Sequence, residues 1–271
     1  MERQIMKTKR ICRIAFSPTH GTDAVAAAIA CAWEAPGLRI DLTDRSDDFS
    51  KYAFTRDDMC IAAAPAYAGR IPEAAAERLK MMDGGGAPAV AAVAYGNRAY
   101  DDALIELCDT LGAAGFRVIA AVAAIAEHSI CRQFAAGRPD RDDRGILRSF
   151  GEKIMRASEL GFVPAKVSPP GARPYRQRVK IPMTPHAGGA CTKCGICARR
   201  CPVGAIPEND PSETDAERCI TCMRCVTVCP HKARRLNPVK HWLARRKLEK
   251  VCSVPRKNEL YIWMAPGGRD S

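Results

Sequence analysis

Eight of the chain's 14 cysteines stand in two runs of identical spacing. The first is Cys191-x-x-Cys194-x-x-Cys197-x-x-x-Cys201-Pro202, and the second is Cys219-x-x-Cys222-x-x-Cys225-x-x-x-Cys229-Pro230. Each position of the second follows its counterpart by 28 residues, so the segment is an internal duplication. An iron–sulfur cubane needs four thiolates at tetrahedral corners. One tight loop supplies three, and the fourth has to arrive from elsewhere. Where two such clusters share a domain, the fourth cysteine of each run ligates the other cluster. That rule assigns Cys191, Cys194, Cys197 and Cys229 to one [4Fe–4S] cluster, and Cys219, Cys222, Cys225 and Cys201 to a second. Gly195 and Gly204 let the backbone approach sulfur, and Pro202 and Pro230 turn the chain away after a ligand. Zinc sites take two pairs of ligands per metal, not three close cysteines and a distant fourth. Disulfides do not suit a chain whose other six cysteines are scattered through apolar or helical segments, as core thiols of a reducing compartment are. The chemistry is therefore one-electron transfer.

A second set of residues lies in three loops. Ser17-Pro18-Thr19-His20-Gly21-Thr22 joins the first strand to the first helix. Hydroxyls and backbone N–H groups at a helix N-terminus suit a phosphate. Pro65–Arg70 carries Tyr67, and Tyr95-Gly96-Asn97-Arg98-Ala99-Tyr100 carries two more tyrosines, so the two loops are able to flank a flat ring. No acid–base or nucleophile constellation accompanies them, and no catalytic residue is assigned. Asp83-Gly84-Gly85-Gly86 is not a dinucleotide fingerprint, because it follows a helix and opens a strand. His128 and Cys131 lie near the end of the fifth strand and read as core or loop residues.

The elements that position these groups follow from periodicity. Apolar runs at residues 11–16, 38–42, 59–65, 87–94 and 116–126 alternate with helical patterns from Thr22, Pro72 and Leu104. Five strands alternating with helices predict a doubly wound α/β domain with a five-stranded parallel sheet. Ligands bind such sheets beyond the carboxyl ends of the strands, where the three loops fall. Residues 138–160 predict another helix. Six prolines follow between 164 and 185, the composition of a semi-extended linker. Residues 233–271 form a basic tail with a helix near 241–251, whose Trp242, Leu243, Leu248 and Val251 are expected to dock on the rest of the protein. The expected boundaries are 8–160 for the α/β domain, 161–187 for the linker, 188–232 for a small α+β two-cluster domain, and 233–271 for the tail.

With these motifs in hand, the first domain resembles a flavodoxin. The whole chain resembles single-chain fusions of a flavodoxin-like domain with a bacterial-type two-cluster ferredoxin. The resemblance rests on Ser17, Thr19 and Thr22, on Tyr67-Ala68-Gly69-Arg70-Ile71-Pro72, and on Tyr95 to Tyr100. It implies FMN, with its phosphate at Ser17, Thr19, His20, Gly21 and Thr22 and its ring near Tyr67, Tyr95, Gly96, Asn97 and Tyr100. His20 stands where the phosphate loop of that family has glycine.

The formal net charge is +12. Bound thiolate clusters and a flavin phosphate would offset part of it. No nucleic-acid motif accompanies the basic tail. No apolar run approaches the ~18 residues of a membrane span, and the apolar stretch after the basic start is too short for a signal peptide. The expected setting is the cytoplasm, and the expected partners are redox proteins. The acids between the two cysteine runs, Glu213, Asp215 and Glu217 among them, are expected to receive a basic partner. The leading function is electron transfer through two clusters coupled to FMN. The alternatives are a flavin-dependent reductase of a quinone-like acceptor, and a ferredoxin whose flavodoxin-like domain only docks.

Overall fold

The structure is a computed structural model and describes residues 8–159 and 169–262. Pro164 and the outer ends of the expected linker and tail lie outside the described residues. The strands are β1 (Arg10–Ala15), β2 (Gly37–Asp41), β3 (Asp58–Pro65), β4 (Pro88–Tyr95) and β5 (Arg117–Ile125). Between them run α1 (Gly21–Ala30), α2 (Glu73–Lys80) and α3 (Ala103–Ala113), and α4 (Arg141–Glu159) follows. All eight residues of β3 and all eight of β4 are buried. Their alanine-rich, unbroken apolar sequences are what a central strand covered on both faces requires.

The five strands are parallel in the order β2-β1-β3-β4-β5. That order is the flavodoxin-like one, with its ligand crevice at the β1/β3 switch point. The sheet has a sixth member. The tail contributes β8 (Glu259–Ile262), antiparallel to β5, with Ala121 opposite Tyr261. The expectation of a five-stranded sheet is corrected accordingly: the tail adds a strand as well as its expected helix. Asn258 secures the junction: its Oδ1 accepts from the Ile125 N–H at 2.9 Å and its Nδ2 donates to Asp143 at 2.8 Å.

The described part of the linker is extended but strapped down. Asp102 accepts from the backbone N–H groups of Ala172 (2.9 Å) and Arg176 (2.7 Å), and Asp109 pairs with Arg173 at 2.6 Å. The chain then enters the cysteine-rich segment through β6 (His186–Ala187), which pairs with β7 (Arg234–Arg235). The duplication in the sequence is repeated in the backbone. Helix α5 (Ile196–Arg199) has its counterpart in α6 (Arg224–Thr227). Left-handed φ angles recur at matched positions: Lys193 and Thr221, Gly195 and Met223, Gly204 and Lys232. Only the first copy uses glycine for two of these turns.

Helix α7 (Pro238–Cys252) starts on Asn237, whose side chain accepts from the N–H groups of Val239 and Lys240, with Pro238 at the first helical position. Its inner face carries Leu248 and Cys252. Trp242, Leu243 and Val251 are exposed. Of the four apolar residues expected to dock, only Leu248 packs into a core cluster, beside Met183 and Ile130.

Candidate cofactor sites

The two cysteine runs fold against each other so that each loop faces the end of the other. A small cavity of about 10 Å³ is lined by Cys191, Cys194, Cys197 and Cys229 together, with Pro230, His231 and Arg234 beside them. Three of those thiols come from the first run and one from the second. In the other grouping, Cys222 is influenced by the thiols of Cys225, Cys201 and Cys219. Among the described residues no three side chains of Cys, His, Asp or Glu converge on a point that would hold a single ion. The thiols instead border a space.

Backbone N–H groups point at the two crossing sulfurs in the same way. Ala205 N donates to Cys201 Sγ at 3.2 Å, and Ala233 N donates to Cys229 Sγ at 3.3 Å. Burial pushes the thiols of Cys222 and Cys225 well up, Cys225 to about 12. Binding them as thiolates therefore releases protons. At Cys229 burial works in the same upward direction, but N–H groups of Ala233, Arg234 and His231 overcome it and hold the thiol below its usual value. Arg234 is buried against both thiol sets. Its guanidinium donates to the carbonyls of Pro185 (3.2 Å) and Glu213 (3.0 Å), and its Nε has no partner among the described residues. Its counterpart in the first copy is Ile206, so the cation breaks the duplication.

A larger cavity, of about 540 Å³, opens at the carboxyl ends of β1, β3, β4 and β5. Thr19, Gly21, Thr22, Tyr67, Tyr95 and Gly96 line it. Four other expected residues do different work. Ser17 Oγ accepts from Asp23 N at 2.9 Å inside the first turn of α1. His20 adopts the left-handed conformation (φ 70°) and its side chain is exposed. The family glycine is thus matched in backbone shape by a histidine. Asn97 turns to the tail: Nδ2 donates to Cys252 O (2.6 Å) and Val254 O (3.0 Å), and Oδ1 accepts from Arg256 N (2.9 Å). The Tyr100 hydroxyl donates to Glu259 at 2.6 Å on β8. Ser17, Asn97 and Tyr100 fasten loop and tail, His20 faces solvent, and none of the four is on the cavity wall.

More of the wall comes from parts distant in sequence from these loops: Ile181 and Met183 of the linker, Thr221 of the second cysteine run, and Lys240, Leu243 and Lys247 of α7. His128 also lines it. Its Nδ1 accepts from Ile130 N (3.2 Å) and Cys131 N (3.1 Å), and desolvation lowers its pKa to about 4, so the ring is neutral. A Cβ on Gly96 would meet the His128 ring at 2.6 Å, which explains glycine there. Desolvation raises the Tyr67 hydroxyl, and the neighbouring Cys222 thiol adds to the shift. Arg224, one residue before a cluster cysteine, donates to the carbonyls of Ser17 and Pro18 at 3.3 Å each. The cysteine-rich segment and the phosphate-type loop are in direct contact.

The residues present fit FMN. A hydroxyl- and glycine-bearing loop at the N-terminus of α1 forms one end of the cavity, and aromatic side chains stand over the strand ends. Arg98, Lys240 and Lys247 add positive charge to the wall for an anionic group.

Residues 190–234 match the family model of the 4Fe-4S dicluster domain. A stretch of 47 residues, 17% of this chain, is 43% identical to one component of the ion-translocating oxidoreductase complex of Methanosarcina acetivorans. It spans only 18% of that relative's length. The N-terminal part is similar to oxidised flavodoxin 1 from Bacillus cereus, at 18% identity and a TM-score of 0.40, over 55% of this chain and 98% of that one. It is also similar to rubredoxin oxygen:oxidoreductase from Desulfovibrio gigas, at 16% identity and a TM-score of 0.43, over 58% of this chain and 38% of that one. Among the described residues no helix is long and apolar enough to cross a membrane. On its strand order and its family match, the chain is a fusion of a flavodoxin-like α/β domain with a 4Fe-4S dicluster domain.

Proposed function

We propose that this chain passes electrons one at a time between redox proteins and a flavin. Its groups are two [4Fe–4S] clusters held by Cys191, Cys194, Cys197 and Cys229 and by Cys219, Cys222, Cys225 and Cys201, and FMN. Its setting is the reducing cytoplasm. The observation that carries this reading is the shared wall: Tyr67 of the flavodoxin-like loop lies beside Cys222, and Thr221, next in sequence to that cysteine, lines the same cavity as Tyr67. Thr19, Gly21 and Thr22 would hold the phosphate end, and Tyr67 and Tyr95 would border the ring. FMN, when bound, connects one-electron to two-electron chemistry. The linker residues 181–183 and α7 contribute to the cavity wall.

Anaerobically loaded protein is expected to hold about eight iron and eight sulfide per chain, and to bind FMN saturably with quenching of its fluorescence. Saturation near half that iron content, with no second cluster signal on reduction, would overturn the two-cluster reading. Absence of saturable FMN binding would leave the N-terminal domain as a docking module. Replacing Cys201 by Ser is expected to damage the cluster of Cys219, Cys222 and Cys225. Loss of the Cys191 cluster in that variant would refute the crossed assignment.

A further inference from the structure

The two thiol sets do not face the same way. In the first set Cys194 is exposed, Cys191 and Cys229 are half-buried and Cys197 is buried; in the second Cys219 is half-buried and Cys201, Cys222 and Cys225 are buried. The second set looks inward, with Cys222 beside Tyr67 and Arg224 bonded to the loop at Ser17 and Pro18. The first set is the more exposed of the two.

The rim around that outer set is cationic. Lys193, Arg199, His231, Lys232 and Arg235 are all exposed. Arg199 lies over the turn itself: its Nη2 donates to the Cys194 carbonyl at 3.2 Å. His231 lines the cavity bordered by the outer thiols, and Arg235 packs its guanidinium on Gly188, just before Cys191. Asp210 is the acid of this rim, and Lys193 pairs with it at 3.2 Å. A cluster held by four thiolates is anionic, and Lys193, Arg199, Lys232 and Arg235 both offset that charge and give the edge around it a positive field.

Two of the acids between the runs make local contacts. The Asp215 carboxylate accepts from Glu217 N (2.8 Å) and Arg218 N (3.2 Å) in its own turn, and Glu217 pairs with Lys180 at 2.8 Å.

We propose that the set Cys191, Cys194, Cys197 and Cys229 is the outward redox port of the chain, and that a small one-electron protein with an acidic face docks on the rim of Lys193, Arg199, His231, Lys232 and Arg235. This rests on the electron-transfer reading above. One electron crosses per encounter: the partner's metal centre is oxidised by one and the port reduced by one, or the reverse, with no proton transfer required. Complementary charge at such a rim accelerates and tightens encounter at low ionic strength and fades with salt.

The test uses the full chain, anaerobically loaded, with fluorescently labelled acidic rubredoxin and basic cytochrome c as probes. Fluorescence anisotropy reads binding, and stopped-flow absorbance reads electron transfer. Rubredoxin is expected to bind saturably at low salt and to weaken about tenfold or more as salt rises to a few tenths molar. The triple variant Lys193→Glu, Arg199→Glu, Lys232→Glu is expected to lose about tenfold or more in rubredoxin affinity at low salt and to gain for cytochrome c. A control with the same change in net charge, Arg144→Glu, Arg148→Glu, Lys153→Glu on α4, is expected to behave as wild type. Rubredoxin affinity unchanged in the rim variant, or reduced equally in the control, would overturn the port. Iron, sulfide and FMN analysis of the same preparations separates the two claims. Loaded protein with charge-insensitive binding ends the docking proposal alone. A chain that takes up no cluster ends the electron-transfer reading and the port with it.

Discussion

His128 shows how a cavity wall sets the charge state of a side chain. Two backbone N–H groups donate to its Nδ1, so the neutral ring keeps its proton on Nε2, and desolvation opposes a second proton. The folded-state pKa of about 4 lies below the ordinary value of 6.5. Between those values the unfolded chain binds the proton and the folded one does not, so the His128 contribution is present above about pH 6.5 and is lost as pH falls toward 4. The full swing is up to about 3 kcal/mol, reduced by whatever solvent reaches the ring through the cavity. His128→Asn, which keeps an acceptor near the Nδ1 position, is expected to remove that part of the slope in urea midpoint between pH 6.5 and 4.5. An unchanged slope would mean that His128 titrates as an exposed residue does. At this scale the sequence was legible where spacing carried the information, as in the eight cysteines. It was less legible in the loops. Ser17, His20, Asn97 and Tyr100 have the right types beside the right strands, but a residue's place on a cavity wall depends on which way its side chain turns. The tail that Asn97 and Tyr100 grip is more than 150 residues away.

Helix α3 holds the linker through a row of acids, and the most buried of them is Glu106. Its carboxylate takes Arg70 (2.7 Å), Arg178 (2.6 Å) and the N–H of Ile71 (3.0 Å), so one residue ties the Tyr67 loop, the helix and the strap together. A buried ion pair adds little over an apolar pair of the same shape, but removing one partner strands the other. Glu106→Ala is expected to cost about 3 kcal/mol of stability by urea unfolding. Arg178→Ala, whose side chain is more exposed, is expected to cost less than half of that. Equal losses would argue against the buried pair as the centre of this network. The parallel strands β1 to β5 were legible because buried strands read as unbroken apolar runs. The strand β8 was not: its four residues are each half-buried and follow a basic helix, so no alternation or apolar run marks them. Its place at the sheet edge is decided by β5, which offers an unpaired edge for it to join.

At the scale of the whole molecule, the cavity is lined by parts that are far apart in sequence, and Asn97 is the latch. The loop after β4 holds the segment after α7 by three hydrogen bonds from this one buried side chain. Helix α7 is therefore anchored at its C-terminal end to the strand-end loop it covers, and beside its N-terminal end by His241, whose Nε2 lies 3.0 Å from the Ile130 carbonyl. Each buried bond is worth about 1 kcal/mol net, and more when its loss strands a backbone group. Asn97→Ala is expected to release the segment from 252 to 258 and to loosen both α7 and β8. Hydrogen exchange is expected to quicken across 244–262 and to stay unchanged across the cysteine runs. FMN affinity is expected to fall about tenfold, because the roof must be ordered at the moment of binding and no longer in advance. Asn97→Asp keeps the acceptor for Arg256 N but replaces the donor by an oxygen facing two carbonyls, so it is expected to match or exceed the damage of the alanine variant. If Asn97 instead touched the flavin directly, affinity would fall while exchange in the tail stayed as in wild type. The two readouts, taken on the same variant, separate a latch from a ligand contact.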